Sequence, residues 1–289
     1  MIVIENLHWE YKNFNVNIDY LALQKGICLL AGSNGAGKST FLHLLATAKR
    51  TDSGIIYYDE RPINEQLLEI RSQIGFVPTG VELYQDFTPE KLLHYFSQLK
   101  GLPSQLSKLQ IAKLLRVFRL EEVSKKKIKK LSQGMQQRLT LAQSLLGKPK
   151  YIFLDEPLNY LDIHERKAFL QYLVEISTYS VVVVATHELN EWEHISRKVL
   201  WLADGKVQFY GSKFEWKREL DQHVWCGEIS DEQTDDFFQN HQVIYASRRD
   251  SGVFVKCISN TPIHGFSKFE ATMEDAFFVR KASLEKLLN

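Results

Sequence analysis

Residues 32–40 read Gly32-Ser33-Asn34-Gly35-Ala36-Gly37-Lys38-Ser39-Thr40, and no other stretch narrows the possible folds of this chain so far. The run meets the pattern G-x-x-x-x-G-K-[ST] at every fixed position. A polyphosphate needs many donors at short range. Backbone N–H groups must therefore turn inward, and glycines at 32, 35 and 37 permit that turn. Lys38 brings a cation to the β- and γ-phosphates, and the Ser39 hydroxyl can ligate Mg²⁺. The flanks agree. Apolar Ile27-Cys28-Leu29-Leu30-Ala31 reads as a buried strand, and Thr40-Phe41-Leu42-His43-Leu44-Leu45 as a helix whose N-terminus favours an anion.

Tyr151-Ile152-Phe153-Leu154-Asp155-Glu156 is an apolar run ending in two carboxylates. It predicts a buried parallel strand whose acidic end lies at the carboxyl edge of the sheet, where ligands bind. There Asp155 would hold Mg²⁺, and Glu156 would act as general base on the attacking water. Between the two motifs lies Leu131-Ser132-Gln133-Gly134-Met135-Gln136-Gln137-Arg138. Ser132 is placed to N-cap the following helix, and Gly134 to admit a phosphate to its first turn, so the segment reads as a second anion site.

With these residues in place, the chain resembles the nucleotide-binding subunit of an ATP-binding-cassette (ABC) transporter, over roughly residues 1–215. Leu131–Arg138 is similar to that family's signature motif. The resemblance implies an α/β fold: a phosphate-loop ATPase core with a mixed sheet and helices, plus a helical signature subdomain at about 88–146. It also implies ATP and Mg²⁺ as ligands, and roles for single residues. Tyr11 stands where the family keeps an aromatic that stacks on adenine. Gly32 to Thr40 take the phosphates, and Ser39, Asp155 and Thr79 surround the metal. Leu158-Asn159-Tyr160-Leu161-Asp162 looks like the D-loop, with Leu158 and Tyr160 where Thr and Gly are commoner. His187, after the β-branched run Val181–Val184, looks like the switch histidine that contacts the γ-phosphate. Thr79 departs from the pattern, because the family has a glutamine there that reaches toward Mg²⁺ and the attacking water. Ser132, Gly134, Gln137 and Asp162 would serve the nucleotide of a second cassette paired head to tail, as a homo- or heterodimer. An integral-membrane permease subunit would place the chain at the cytoplasmic face of the membrane. Two other functions stay open at this point: an ABC ATPase without a membrane partner, and a weakly hydrolysing regulatory half of a heterodimer.

Composition narrows the partners. The chain has 289 residues, with 36 Lys and Arg against 35 Asp and Glu, so nothing implies general affinity for nucleic acid. The run Lys125–Lys130 reads as a solvated loop, since interleaved aromatics are missing. Cys28, Cys226 and Cys257 show no metal spacing, and Cys28 belongs to the core strand. No signal peptide is visible, and no apolar run approaches the ~18 residues of a membrane span. Thr88-Pro89-Glu90 opens a helix with an apolar face of Leu92, Leu93, Tyr95, Phe96 and Leu99. Val199–Leu202 and Lys206–Tyr210 form a hairpin across Ala203-Asp204-Gly205. Residues 216–289 then predict a small α+β domain. In it Val224-Trp225-Cys226 and the hairpin Val243–Ser247/Val253–Ile258 are strands, Asp231–Asn240 is a helix, and Ala271–Phe278 opens the last helix. That last run is similar to a segment closing many ATPases of the type-2 ABC export branch.

Overall fold

The computed structural model describes residues 1–12 and 14–288, with Leu287 and Leu288 described by backbone alone. The chain forms two compact units. The first holds Met1–His187 and Ile195–Tyr210; the second holds Glu188–His194 and Gly211 onward. The boundary expected from the sequence is at 215, and no part of 188–194 is expected in the second unit.

In the order of the chain, the first sheet is built from β1 (Ile2–Tyr11), β2 (Phe14–Leu23), β3 (Gly26–Ala31), β4 (Ser53–Tyr58), β5 (Arg61–Pro62), β6 (Ile74–Val77), β7 (Tyr151–Asp155), β8 (Val181–Ala185), β9 (Lys198–Ala203) and β10 (Lys206–Ser212). Their spatial order is β5-β4-β1-β2-β10-β9-β3-β8-β7-β6. β1 pairs antiparallel with β2 and β4, while β3, β6, β7, β8 and β9 run parallel. The pattern of side chains follows from this. Every residue of β3, β7 and β8 is buried, as a strand covered on both faces requires, whereas β1 and β2 alternate between inside and outside. Cys28 lies in that core, 4% exposed, and burial pushes its thiol up to about 12.

Helices of the first unit are α1 (Lys38–Leu45), α2 (Leu67–Ser72), α3 (Pro89–Leu99), α4 (Ser104–Val117), α5 (Gln133–Ser144) and α6 (Ile163–Ser177). The start of α3 is as expected: Thr88 caps the Lys91 N–H and Pro89 stands at the first helical position. Its apolar face is narrower than expected. Leu92 and Leu93 are fully buried, but Tyr95 and Leu99 are exposed. Ser97 takes the inner position instead, and its hydroxyl meets that of Ser107 on α4 at 2.6 Å. In the basic run, Ile128–Lys130 is a 3-10 turn, and Lys127 and Lys129 both pair with Asp86. No helix among the described residues is long and apolar enough to cross a membrane.

In the second unit, α7 (Lys213–Arg218), α8 (Thr234–Asn240) and α9 (Met273–Leu288) accompany a sheet of β11 (His223–Ile229), β12 (Gln242–Arg249), β13 (Gly252–Ser259) and β14 (Ser267–Phe269), ordered β12-β13-β11-β14. Val224 and Ile258 of the sheet pack with Val279 and Ala282 of α9. A buried ion pair, Lys256 to Asp275 at 2.8 Å, ties the same two layers. The expected helix over 231–240 is split: Asp231–Gln233 is a 3-10 turn, and α8 starts at Thr234.

Candidate nucleotide-binding site

The glycine-rich run lies between β3 and α1, at the carboxyl edge of the parallel strands. Beside it is a cavity of about 580 Å³ lined by Phe14, by loop residues from Ser33 to Thr40, and by Thr79, Asp155 and Glu156. Lys38 turns back over the loop, where its Nζ donates to the carbonyls of Gly32 and Ser33 at 2.7 and 3.1 Å. Burial lowers the pKa of this ammonium, against the opposing pull of Glu156 and Asp155. Gly37 has φ +100°, and a Cβ there would meet the Phe14 ring at 2.8 Å. The loop therefore needs glycine twice at this position, for its backbone and for the ring that lies against it.

Asp155 ends β7 with its side chain buried, and its Oδ2 has no hydrogen-bond partner. A buried carboxylate oxygen without a partner, on a residue that lines the same cavity as Ser39, suits a divalent cation. These donors fit Mg²⁺. Glu156 follows at φ +49°, anchored by its N–H, which donates to the Ala185 carbonyl at 2.9 Å. His187 Nδ1 stands 3.0 Å from Glu156 Oε2, so the ends of β7 and β8 bring together the two residues read as catalytic. Thr79, two residues beyond β6, reaches the same cavity.

The signature lies elsewhere on the first unit. Ser132 caps α5 by accepting from the Met135 N–H at 3.2 Å, as its sequence position predicts. Gly134 has a second reason to be glycine: a Cβ would come within 2.7 Å of the Tyr160 carbonyl in the D-loop. Gln137 donates to the Pro157 carbonyl at 3.1 Å, and Arg138 meets Glu165 on α6 at 3.0 Å. Asp162 caps α6 in a reciprocal box with Glu165. None of Ser132, Gly134, Gln137 and Asp162 lines the cavity of Lys38.

Tyr11 does not line it either. The tyrosine is 60% exposed at the end of β1 and stacks on Trp9, with Lys12 over its ring. The aromatic at the cavity is Phe14, which the sequence reading missed. Its one signal was the period-two alternation of β2, which gave Phe14 an inward side but not a neighbour.

A family model described as "ABC transporter" matches residues 16–159. An ABC transporter ATP-binding protein of Bacillus subtilis, YxlF, itself uncharacterised, is 32% identical over 227 residues, which is 78% of this chain and 75% of the relative. ABC transporter A family member 8 of Dictyostelium discoideum is 32% identical over 203 residues, 69% of this chain but 24% of the relative. The chain thus spans about a quarter of that larger protein. A solved structure, the ATP-binding subunit of an ABC transporter, superposes with a TM-score of 0.71 at 25% identity, over 76% of this chain and 92% of the other.

Proposed function

The chain belongs to the ATP-binding proteins of ABC transporters, ATPases with this mixed α/β fold, and from that premise we propose that it is the motor subunit of an exporter, working as a head-to-tail pair. The carrying observation is the division of the motifs. Lys38, Asp155, Glu156 and Thr79 surround one cavity, while Ser132 and Gly134 stand outside it. ATP on Lys38 would be closed over by Ser132 and Gly134 of a second cassette, a copy or a related chain. Binding energy spent on that closure would move a membrane-spanning permease, and hydrolysis would release it. The similarity of Ala271–Phe278 to export-branch tails supports the direction of transport.

In this reading the chain's own groups divide the work. Loop amides and Lys38 bind and orient the phosphates. Ser39 and Asp155 would hold Mg²⁺, which when bound neutralises charge between the β- and γ-phosphates. Glu156 accepts the proton of the attacking water, and His187, bonded to Glu156, holds the γ-phosphate side of that water. Proximity to the permease would place the chain at the cytoplasmic face of the membrane. Purification of the full chain from native membranes, with and without detergent, tests the coupling. A companion that spans the membrane and is retained in detergent is the expected result. Recovery of all the chain away from membranes, with no such companion, overturns the transporter reading.

A further inference from the structure

A second cavity of the first unit lies at the other end of α1 from Lys38. Its volume is about 320 Å³, the lower end of the roughly 300–1,000 Å³ usual for small-molecule sites. Leu44 in the last turn of α1 and Ile56 of β4, both 1% exposed, line it together with Ile63 and Leu67. Lys49, Arg50 and Arg71 line it too, and no carboxylate does. Among the described residues, none of these three cations is paired with a carboxylate; Lys49 lies over the Trp9 ring at 4.3 Å.

Arg71 is anchored by an unusual residue. Thr47 directly follows the C-cap of α1 with φ +60°, a left-handed backbone that a β-branched residue rarely adopts and that glycine commonly supplies after a helix. The threonine is 7% exposed. Its hydroxyl accepts from Arg71 Nε at 2.8 Å, and its carbonyl from Arg71 Nη2 at 3.0 Å. A strained, buried residue thus fixes one edge of a guanidinium that lines the cavity, and among the described residues Nη1 has no acceptor. We propose that this cavity binds a small anion with an apolar body, such as a medium-chain carboxylate. The hydrocarbon chain lies on Leu44, Ile56, Ile63 and Leu67, and Arg50 and Arg71 take the carboxylate, for which a guanidinium fork is suited. Such a ligand satisfies both halves of the lining. Inorganic phosphate would leave the apolar half in water, and an uncharged chain would supply no counter-charge to three cations. Binding here is independent of the transport reading, since no residue lines both this cavity and that of Lys38.

Octanoate, hexanoate, octanol and inorganic phosphate, titrated into the full chain by calorimetry with the Ile56 and Ile63 methyl resonances followed by NMR, test it. Octanoate should bind with a Kd below about 1 mM and move both methyls. Hexanoate should bind at least about fivefold more weakly, since each buried methylene contributes about fourfold in affinity. Octanol and phosphate should each be at least about tenfold weaker than octanoate. Arg50→Glu reverses an exposed charge and should weaken octanoate at least about tenfold. Thr47→Gly keeps the turn but removes the hydroxyl that holds Arg71, and should weaken octanoate at least about threefold. ATP titration checks that both variants are folded; if Thr47→Gly is not, Arg50→Glu and the ligand series decide. Octanoate that moves neither methyl, binds no tighter than octanol, or binds Arg50→Glu as tightly as the wild type overturns the anion site. Wild-type affinity in folded Thr47→Gly refutes the anchoring of Arg71 as part of it.

Discussion

Glu156 carries a left-handed backbone at φ +49°, a conformation that costs a non-glycine residue of the order of 1–3 kcal/mol. Its N–H bond to Ala185 and its side-chain contact with His187 hold it there, aimed at the cavity rather than continuing β7. Glu156→Gln keeps the shape and removes the proposed proton acceptor. Turnover should fall by ~10²–10⁴ while ATP still binds, as single-turnover phosphate release and a nucleotide titration would show. Thr79 poses the complementary question. Its side chain is shorter than the family's glutamine, so hydrolysis should need more Mg²⁺ than glutamine would require. Thr79→Gln should raise basal turnover or lower the Mg²⁺ requirement, with ATP affinity within a few-fold. Superimposable curves of rate against Mg²⁺ would show that Thr79 only shapes the loop. At this scale the sequence was readable wherever spacing alone defines chemistry, as in Gly32–Thr40 and Asp155-Glu156. It failed at Phe14, which owes its place to a contact with Gly37, a neighbour distant in the chain.

Between elements, some ties are polar. Lys100 ends α3, and its Nζ donates to the carbonyls of Ile74, at the start of β6, and Leu146, beyond α5, at 2.8 and 3.0 Å. Burial lowers its pKa to about 8. Between that value and the ordinary 10.5 the unfolded chain binds the extra proton, so this group makes stability rise with pH across the window. From pH 8 to 9.5 the wild type should gain about 1–2 kcal/mol relative to Lys100→Met, read from urea midpoints at the two pH values. An unchanged difference would show the ammonium to be fully stabilised by its carbonyls. Neither Lys100 nor the meeting of Arg138 with Glu165 was legible beforehand. A lysine at a helix end reads as a solvated cation favoured by the helix dipole. The caps at Thr88, Ser132 and Asp162 are different, since each depends on residues within one turn.

For the molecule as a whole, separation of Lys38 from the signature residues makes complementation the decisive measurement. In the proposed pair, Lys38→Ala would lose the phosphate cation and Ser132→Arg would block the signature; each variant alone should be inactive. Mixed in equal amounts, they should recover about a quarter of the wild-type rate, since half of the random pairs hold one intact site of two. Absence of rescue would exclude a site shared between copies of this chain. The existence of a C-terminal unit could be read from its hairpin and last helix, but its membership could not. Glu188–His194 follows a histidine motif and precedes β9, so sequence order assigns it to the ATPase, and only the partners of Asn190 and Glu193 assign it to the other unit. This has a consequence for descent. The two units are interleaved in the chain, so a single crossover at residue 210 would pass on α7 and α9 without the segment they hold, and leave that segment behind without Lys213, Lys217 and Glu274. Exchange of C-terminal units among cassettes would therefore succeed only where positions near 190 and 274 changed together.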